Sequence, residues 1–110
     1  SVIAVRPRKL VLYETAPGRC PWQKWFDELK DQKIQQAVDA RLLRLQRGNV
    51  GDSRHLGQRV WEARLHDGAG YRIYFGEDGD SLVVLLCGGT KRSQARDIAR
   101  AKRFWHHYRS

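Results

Sequence analysis

Two short runs of alternating side chains carry the residue types that could do chemistry. In residues 60–66 (VWEARLH), Glu62, Arg64 and His66 fall on one side of an extended chain, because strand side chains alternate with period two. In Tyr71–Phe75, Arg72 and Tyr74 alternate with Tyr71, Ile73 and Phe75 in the same way. A DGAG turn at 67–70 joins the runs, and closing it in register sets both polar rows on one face of a sheet. Lys91 and Arg92 follow directly on Gly88–Gly89 and can fold over that face. A carboxylate, an imidazole and several cations are enough for metal-free cleavage of RNA. A base takes the proton of a 2′-hydroxyl, which attacks the adjacent phosphorus in line, and an acid protonates the departing 5′-oxygen. Cations stabilise the negative charge that develops on the phosphoryl oxygens. Glu62 or His66 suits base or acid, and His66 is the better acid near neutral pH because a glutamate between arginines stays ionised. Arg64 and Arg72 would clamp phosphate, with Lys91 or Arg92 assisting.

The same pattern has a plainer reading. Alternating polar residues are usually the solvated face of a half-buried sheet, and Glu62 would then simply pair with Arg64 or Arg72. Arg72 resists that reading, because it sits mid-strand between Tyr71 and the run Ile73–Tyr74–Phe75. His55, His106 and His107, in a loop and a tail, have no named partner and read as solvated. Trp22, Trp25 and Trp61 fall on expected core faces, while Trp105 is open between packing and base stacking. No P-loop, nucleophile elbow or metal-ligand cluster occurs in the sequence, so neither a metal nor another cofactor is expected. The two cysteines are too few for a four-ligand zinc site. Cys87 ends an apolar run and reads as a buried thiol rather than half of a disulfide.

These residues need elements to position them. The spacing predicts a strand at 9–14, broken by Pro17–Gly18, and then a helix opening at Pro21 with Trp22, Trp25, Phe26 and Leu29 on one face. A second helix over Lys33–Arg47 buries Ile34, Val38, Leu42 and Leu45 and completes a helical hairpin. Strands follow at 60–66, at Tyr71–Phe75 and at Leu82–Cys87, the last apolar on both faces and so interior to the sheet. A final helix over 93–108 carries Ala95, Ile98, Ala101, Trp105 and Tyr108 on one stripe. Arg92, Arg96, Arg100 and Arg103 form another, an expected RNA- or ribosome-facing surface to which Tyr74 would add a contact. The order is β-α-α-β-β-β-α, an α+β domain with a largely antiparallel four-stranded sheet.

The chain has 110 residues, the size of one domain, and carries 21 Lys and Arg against 12 Asp and Glu, a net charge of +9. Fifteen of those cations are arginine, whose planar fork matches phosphate bidentately. Such a balance points to a polyanionic partner, either nucleic acid or an acidic protein surface. No stretch approaches the ~20 apolar residues that span a bilayer, and no secretory signal opens the sequence, so the cytoplasm is expected and a membrane partner is not. Ser1 in place of Met indicates a processed, trimmed or altered start.

Residues 60–102 resemble the second half of RelE/HigB-type toxins, the addiction-module killer proteins. The pieces that carry the likeness are the E-x-R of Glu62–Arg64, the GYR-x-YF of 70–75, the LLCGG of 85–89 and the K-x-S-Q-A-R-D-I of Lys91–Ile98. PWQKWFDEL at 21–29 and RLLRLQRGNVGD at 41–52 extend the likeness over nearly the whole chain, and residues 1–8 match nothing in the family. The resemblance implies a RelE-like fold and cleavage of mRNA on the ribosome. It also implies neutralisation by a helix-turn-helix antitoxin, through which alone operator DNA would be touched. It places Arg72 at the phosphate, Arg64 at a basic position on the preceding strand and Arg92 at the start of the last helix. Glu62 stands where some relatives carry lysine, and their acidic tyrosine or histidine has no single equivalent, so base and acid stay open and Asp52 is a second candidate base. Two other readings stay open as well: a relative of the same fold that poisons DNA gyrase, and a non-catalytic module binding nucleic acid or antitoxin.

Overall fold

A computed structural model describes residues 7–110. The elements run β1 (Lys9–Leu12), α1 (Pro21–Asp27), α2 (Gln32–Gln46), β2 (Ser53–His55), β3 (Val60–Arg64), β4 (Arg72–Asp78), β5 (Leu82–Gly89), a 3₁₀ turn (Lys91–Ser93) and α3 (Gln94–Arg109). The fold is α+β with a five-stranded sheet in the order β1-β5-β4-β3-β2. Tight turns make β2 through β5 antiparallel neighbours, whereas β1 lies parallel to β5 because the two helices intervene in the chain. The sequence predicts four strands. The fifth, β2, is three residues of polar sequence at the sheet edge, too short to show a period.

The sheet is covered on both sides, which is why β4 and β5 are buried along most of their length. On one side, Ala63, Leu65, Ile73, Phe75, Val83 and Leu85 meet Trp22 of α1 and Ile34, Val38 and Leu45 of α2. On the other, Val60, Tyr74, Val84, Leu86 and Cys87 meet Ala101 and Trp105 of α3 together with Tyr13. A bulge makes Leu86 and Cys87 share a face: Tyr74 pairs with Cys87 but Phe75 with Leu85, so Leu86 is the extra residue. The paired glycines that end β5 serve close approach. A methyl on Gly88 would run into the Trp25 ring, and one on Gly89 into the Asp97 carboxylate.

Both longer helices follow from local chemistry. Asp31 caps α2 by accepting from the Lys33 amide at 2.9 Å, and the chain leaves that helix through Gly48 at φ +86°. In α3 the apolar stripe beds Trp105 over Gly76, and its indole donates to the Gln58 carbonyl at 2.7 Å. Trp105 is therefore core rather than a stacking platform. Among the described residues no helix is long and apolar enough to cross a membrane.

Candidate active site

β3 and β4 end together at one rim of the sheet, where Arg64 pairs with Arg72 and Arg72 with Gly89 of β5. The chain on from Arg64 leaves the strand, so His66 stands at the rim, three-quarters exposed, and not in the ladder. There its Nε2 meets Asp52 Oδ2 at 2.6 Å, and Arg64 Nη2 meets Asp52 Oδ1 at 3.3 Å. Burial pushes the Asp52 carboxyl up, but the hydrogen bonds and charges of Arg64 and His66 outweigh it and hold the group below its ordinary range. With Nε2 donating to Asp52, Nδ1 of a neutral imidazole keeps its lone pair. The segment is fixed from below by Arg41 of α2, 5% exposed, whose Nη2 donates to the Arg64 carbonyl at 2.7 Å and Nη1 to that of Asp52 at 3.3 Å.

Arg64, His66, Tyr71 and Arg72 converge on a cleft of about 180 Å³ floored by Gly68 and Gly70. Arg72 reaches it from below, only 7% exposed, with Nη1 donating to the Gly70 carbonyl at 2.6 Å. Gly70, at φ +72°, is where the 67–70 turn presses on its surroundings. A methyl there would sit 3.2 Å from Arg72 Nη1 and 3.3 Å from Cβ of Lys91. Lys91, whose amide meets the Ala69 carbonyl at 3.4 Å, thus stands beside Gly70, next to the cleft though not in its lining. Arg92 is exposed on the same 3₁₀ turn.

Other expected residues stand elsewhere. The row Glu62, Arg72 and Tyr74 is not a solvated face, because α3 covers it: Glu62 is 1% exposed and Tyr74 fully buried. Tyr74 therefore presents nothing to RNA. Its hydroxyl donates to Glu62 Oε2 at 2.9 Å, and burial, then that hydrogen bond, push its phenol far above the ordinary value. Glu62 faces Arg54 and Arg72 rather than solvent, at 3.2 Å and 3.6 Å, so it has no open path to a 2′-hydroxyl. Arg96 and Arg100 line a separate, larger groove between α1 and α3, where Arg100 lies 3.8 Å from Asp97 and over the Phe104 ring. Arg103 is exposed on α3 and outside both concavities.

Residues 24–105, from α1 into the last turns of α3, match the family described as phage-derived protein Gp49-like (DUF891). An uncharacterized protein of Haemophilus influenzae is 40% identical over 81 residues, covering 74% of this chain and 82% of the relative. The chain belongs to the Gp49-like family. This is an addiction-module toxin family of the RelE/HigB kind, which gives the protein the role of toxin and an antitoxin as its partner. The matched segment of this Gp49-like chain contains the whole cleft and all of β2 through β5.

Sequence reasoning missed three residues that build the Gp49-like cleft and its support. Arg41 left a signal, since 34, 38, 41 and 45 form a helical stripe whose other members are all buried. Tyr71 has the period of the core face and gives no hint that its ring also lines the rim. Arg54 lies on β2, and with that strand unrecognised nothing placed it opposite Glu62.

Proposed function

We propose that this toxin is a ribosome-dependent endoribonuclease that cuts mRNA by attack of the RNA's own 2′-hydroxyl. The observation that carries the reading is the convergence of two arginines and an aspartate-held imidazole on one small cleft. Arg72, largely desolvated and tied to Gly70, suits a preorganised phosphate clamp, since a fixed cation in a dry setting stabilises developing charge more than a mobile one in water. Arg64 and Lys91 add charge at the mouth. His66 Nδ1 acts as the base that removes the 2′-hydroxyl proton, with Asp52 orienting the ring and stabilising the imidazolium formed. Tyr71 protonates the departing 5′-oxygen. The 2′-oxygen's lone pair forms the new O–P bond as the P–O5′ bond breaks with its electron pair going to the 5′-oxygen, leaving a 2′,3′-cyclic phosphate upstream. The Arg92 and Arg103 surface meets the ribosome.

The test is a cell-free translation extract given the purified protein, with a DNA supercoiling assay run beside it. Translation arrest with new 5′ ends inside mRNA is the expected result. Arrest without cut mRNA overturns the nuclease reading, and loss of supercoiling at equal dose moves the target to gyrase.

A further inference from the structure

We infer that Glu62 is a positioning residue that holds Arg72, and with it Arg54, toward the substrate phosphates, and is not the general base. The inference rests on the ribonuclease reading of the cleft. Glu62 lies inside the sheet's α3 face at 1% exposure, and every element around it supplies a partner. Arg54 of β2 meets Oε1 at 3.2 Å. Tyr74 of β4 and Gln94 of α3 donate to Oε2 at 2.9 Å and 3.0 Å. Arg72 Nε faces the same oxygen at 3.6 Å and makes no hydrogen bond, while its Nη1 is held by Gly70. A buried carboxylate is costly unless paired and hydrogen-bonded, and this one has both kinds of partner. Oε2 takes two donors and Oε1 faces Arg54, and at this burial the carboxylate offers a substrate hydroxyl no open approach.

The geometry gives the charge a second use. Arg72 is hydrogen-bonded to Gly70 through Nη1 and drawn by the Glu62 charge behind it at 3.6 Å, which together set the orientation of its fork at the cleft. Arg54 is tethered at one nitrogen only and its side chain is 59% exposed, which leaves the rest of its fork to meet a flanking phosphate of the bound strand. Charge-assisted contacts of this kind fix direction as well as energy. Arg54 thus becomes a substrate-binding residue, and Glu62 acts on the reaction only through the two arginines.

The experiment compares wild type, Glu62→Gln, Arg54→Ala and Gln94→Ala in single-turnover cleavage on programmed ribosomes across pH, with the Arg Nε–H signals of the free protein followed by ¹⁵N NMR. Glu62→Gln is expected to slow the chemical step by up to about a hundredfold, the scale of a misplaced catalytic group, with the shape of the pH profile unchanged. Arg54→Ala should raise the half-saturating ribosome concentration with little change in the maximal rate. Exchange of the buried Arg72 Nε–H with water should quicken in Glu62→Gln. Loss of the acidic limb in Glu62→Gln would make Glu62 the base and overturn the inference, and so would a folded Glu62→Gln that cleaves at the wild-type rate. Should Glu62→Gln fail to fold, Gln94→Ala decides, because one lost hydrogen bond to Glu62 should slow cleavage roughly fivefold and a wild-type rate contradicts it. If wild type cuts no RNA, the ribonuclease reading fails by itself. The NMR arm still tests the tether, which an unchanged Arg72 signal in Glu62→Gln would refute.

Discussion

Two concavities among the described residues differ in kind, and the proposed chemistry belongs to the smaller. The groove between α1 and α3 measures about 1140 Å³ and is lined by Arg19, Lys24, Arg96 and Arg100 on one account and by Asp27, Glu28 and Asp97 on the other. Its charges largely answer one another. The cleft at the strand rim is about 180 Å³, and its lining holds Arg64, Arg72 and His66 with no carboxylate among them. The acids stand behind it, Asp52 beside the imidazole and Glu62 beneath the arginine. Volume here reports where a helix leaves room against a sheet. In the proposed reaction the cations and the imidazole line the cleft, while Asp52 and Glu62 stand outside its lining and orient them.

Several substitutions break or sharpen that contrast. The largest effect is expected at the proton-transfer group: His66→Ala should slow mRNA cleavage by roughly a hundred- to ten-thousandfold, read by primer extension on arrested ribosomes. Arg72→Ala should cost on the order of a hundred- to a thousandfold and abolish growth arrest at equal abundance, with the far-UV circular dichroism unchanged. In the groove, Arg96→Ala with Arg100→Ala should change the cleavage step by less than about threefold, because cations away from the reacting phosphate act on encounter. A large loss of the chemical step in that pair would move the site to the groove. The smallest effect concerns stability alone. Gln58 and Arg59 both have positive φ, at 55° and 67°, in the turn from β2 to β3. Gln58→Gly should relieve that strain by about 0.5–1 kcal/mol, seen as a higher urea midpoint with activity intact.

Much of the frame was legible because its elements carry a period. β3 and the start of β4 alternate, β5 is a continuous apolar run, α2 and α3 repeat their apolar residues every three to four positions, and Gly48 and Gly88–Gly89 mark ends. Arg64 and Arg72 were legible for the same reason, while His66 stands at the rim beyond the end of β3. What alternation cannot tell is what covers a face. Glu62 and Tyr74 read as a solvated row, and only the docking of α3 through Ala101 and Trp105 makes them interior. Arg41 was hidden by its charge, since an arginine on a buried stripe needs carbonyl acceptors that only the β2–β3 region supplies. The parallel placement of β1 is set by packing over both helices and leaves no local mark.

The α3 face also predicts a pH response. Burial pushes the Cys87 thiol up to about 11 from an ordinary 9.0. A group whose folded pKa is raised contributes stability that is fully present below its unfolded value and lost as pH rises through the folded one. Stability should therefore fall between pH 9 and pH 11, and Cys87→Ala should flatten that fall when urea midpoints are compared across the range.

The most direct test of the central claim is made on the RNA. A programmed ribosome is given an mRNA carrying a single 2′-deoxynucleotide at the mapped cut site, and the 3′ end of the upstream fragment from the all-ribose mRNA is analysed. A 2′,3′-cyclic phosphate on that fragment and no cleavage at the deoxy position are expected, since the nucleophile has been removed. Cleavage of the deoxy-substituted mRNA at the normal rate would contradict attack by the 2′-hydroxyl.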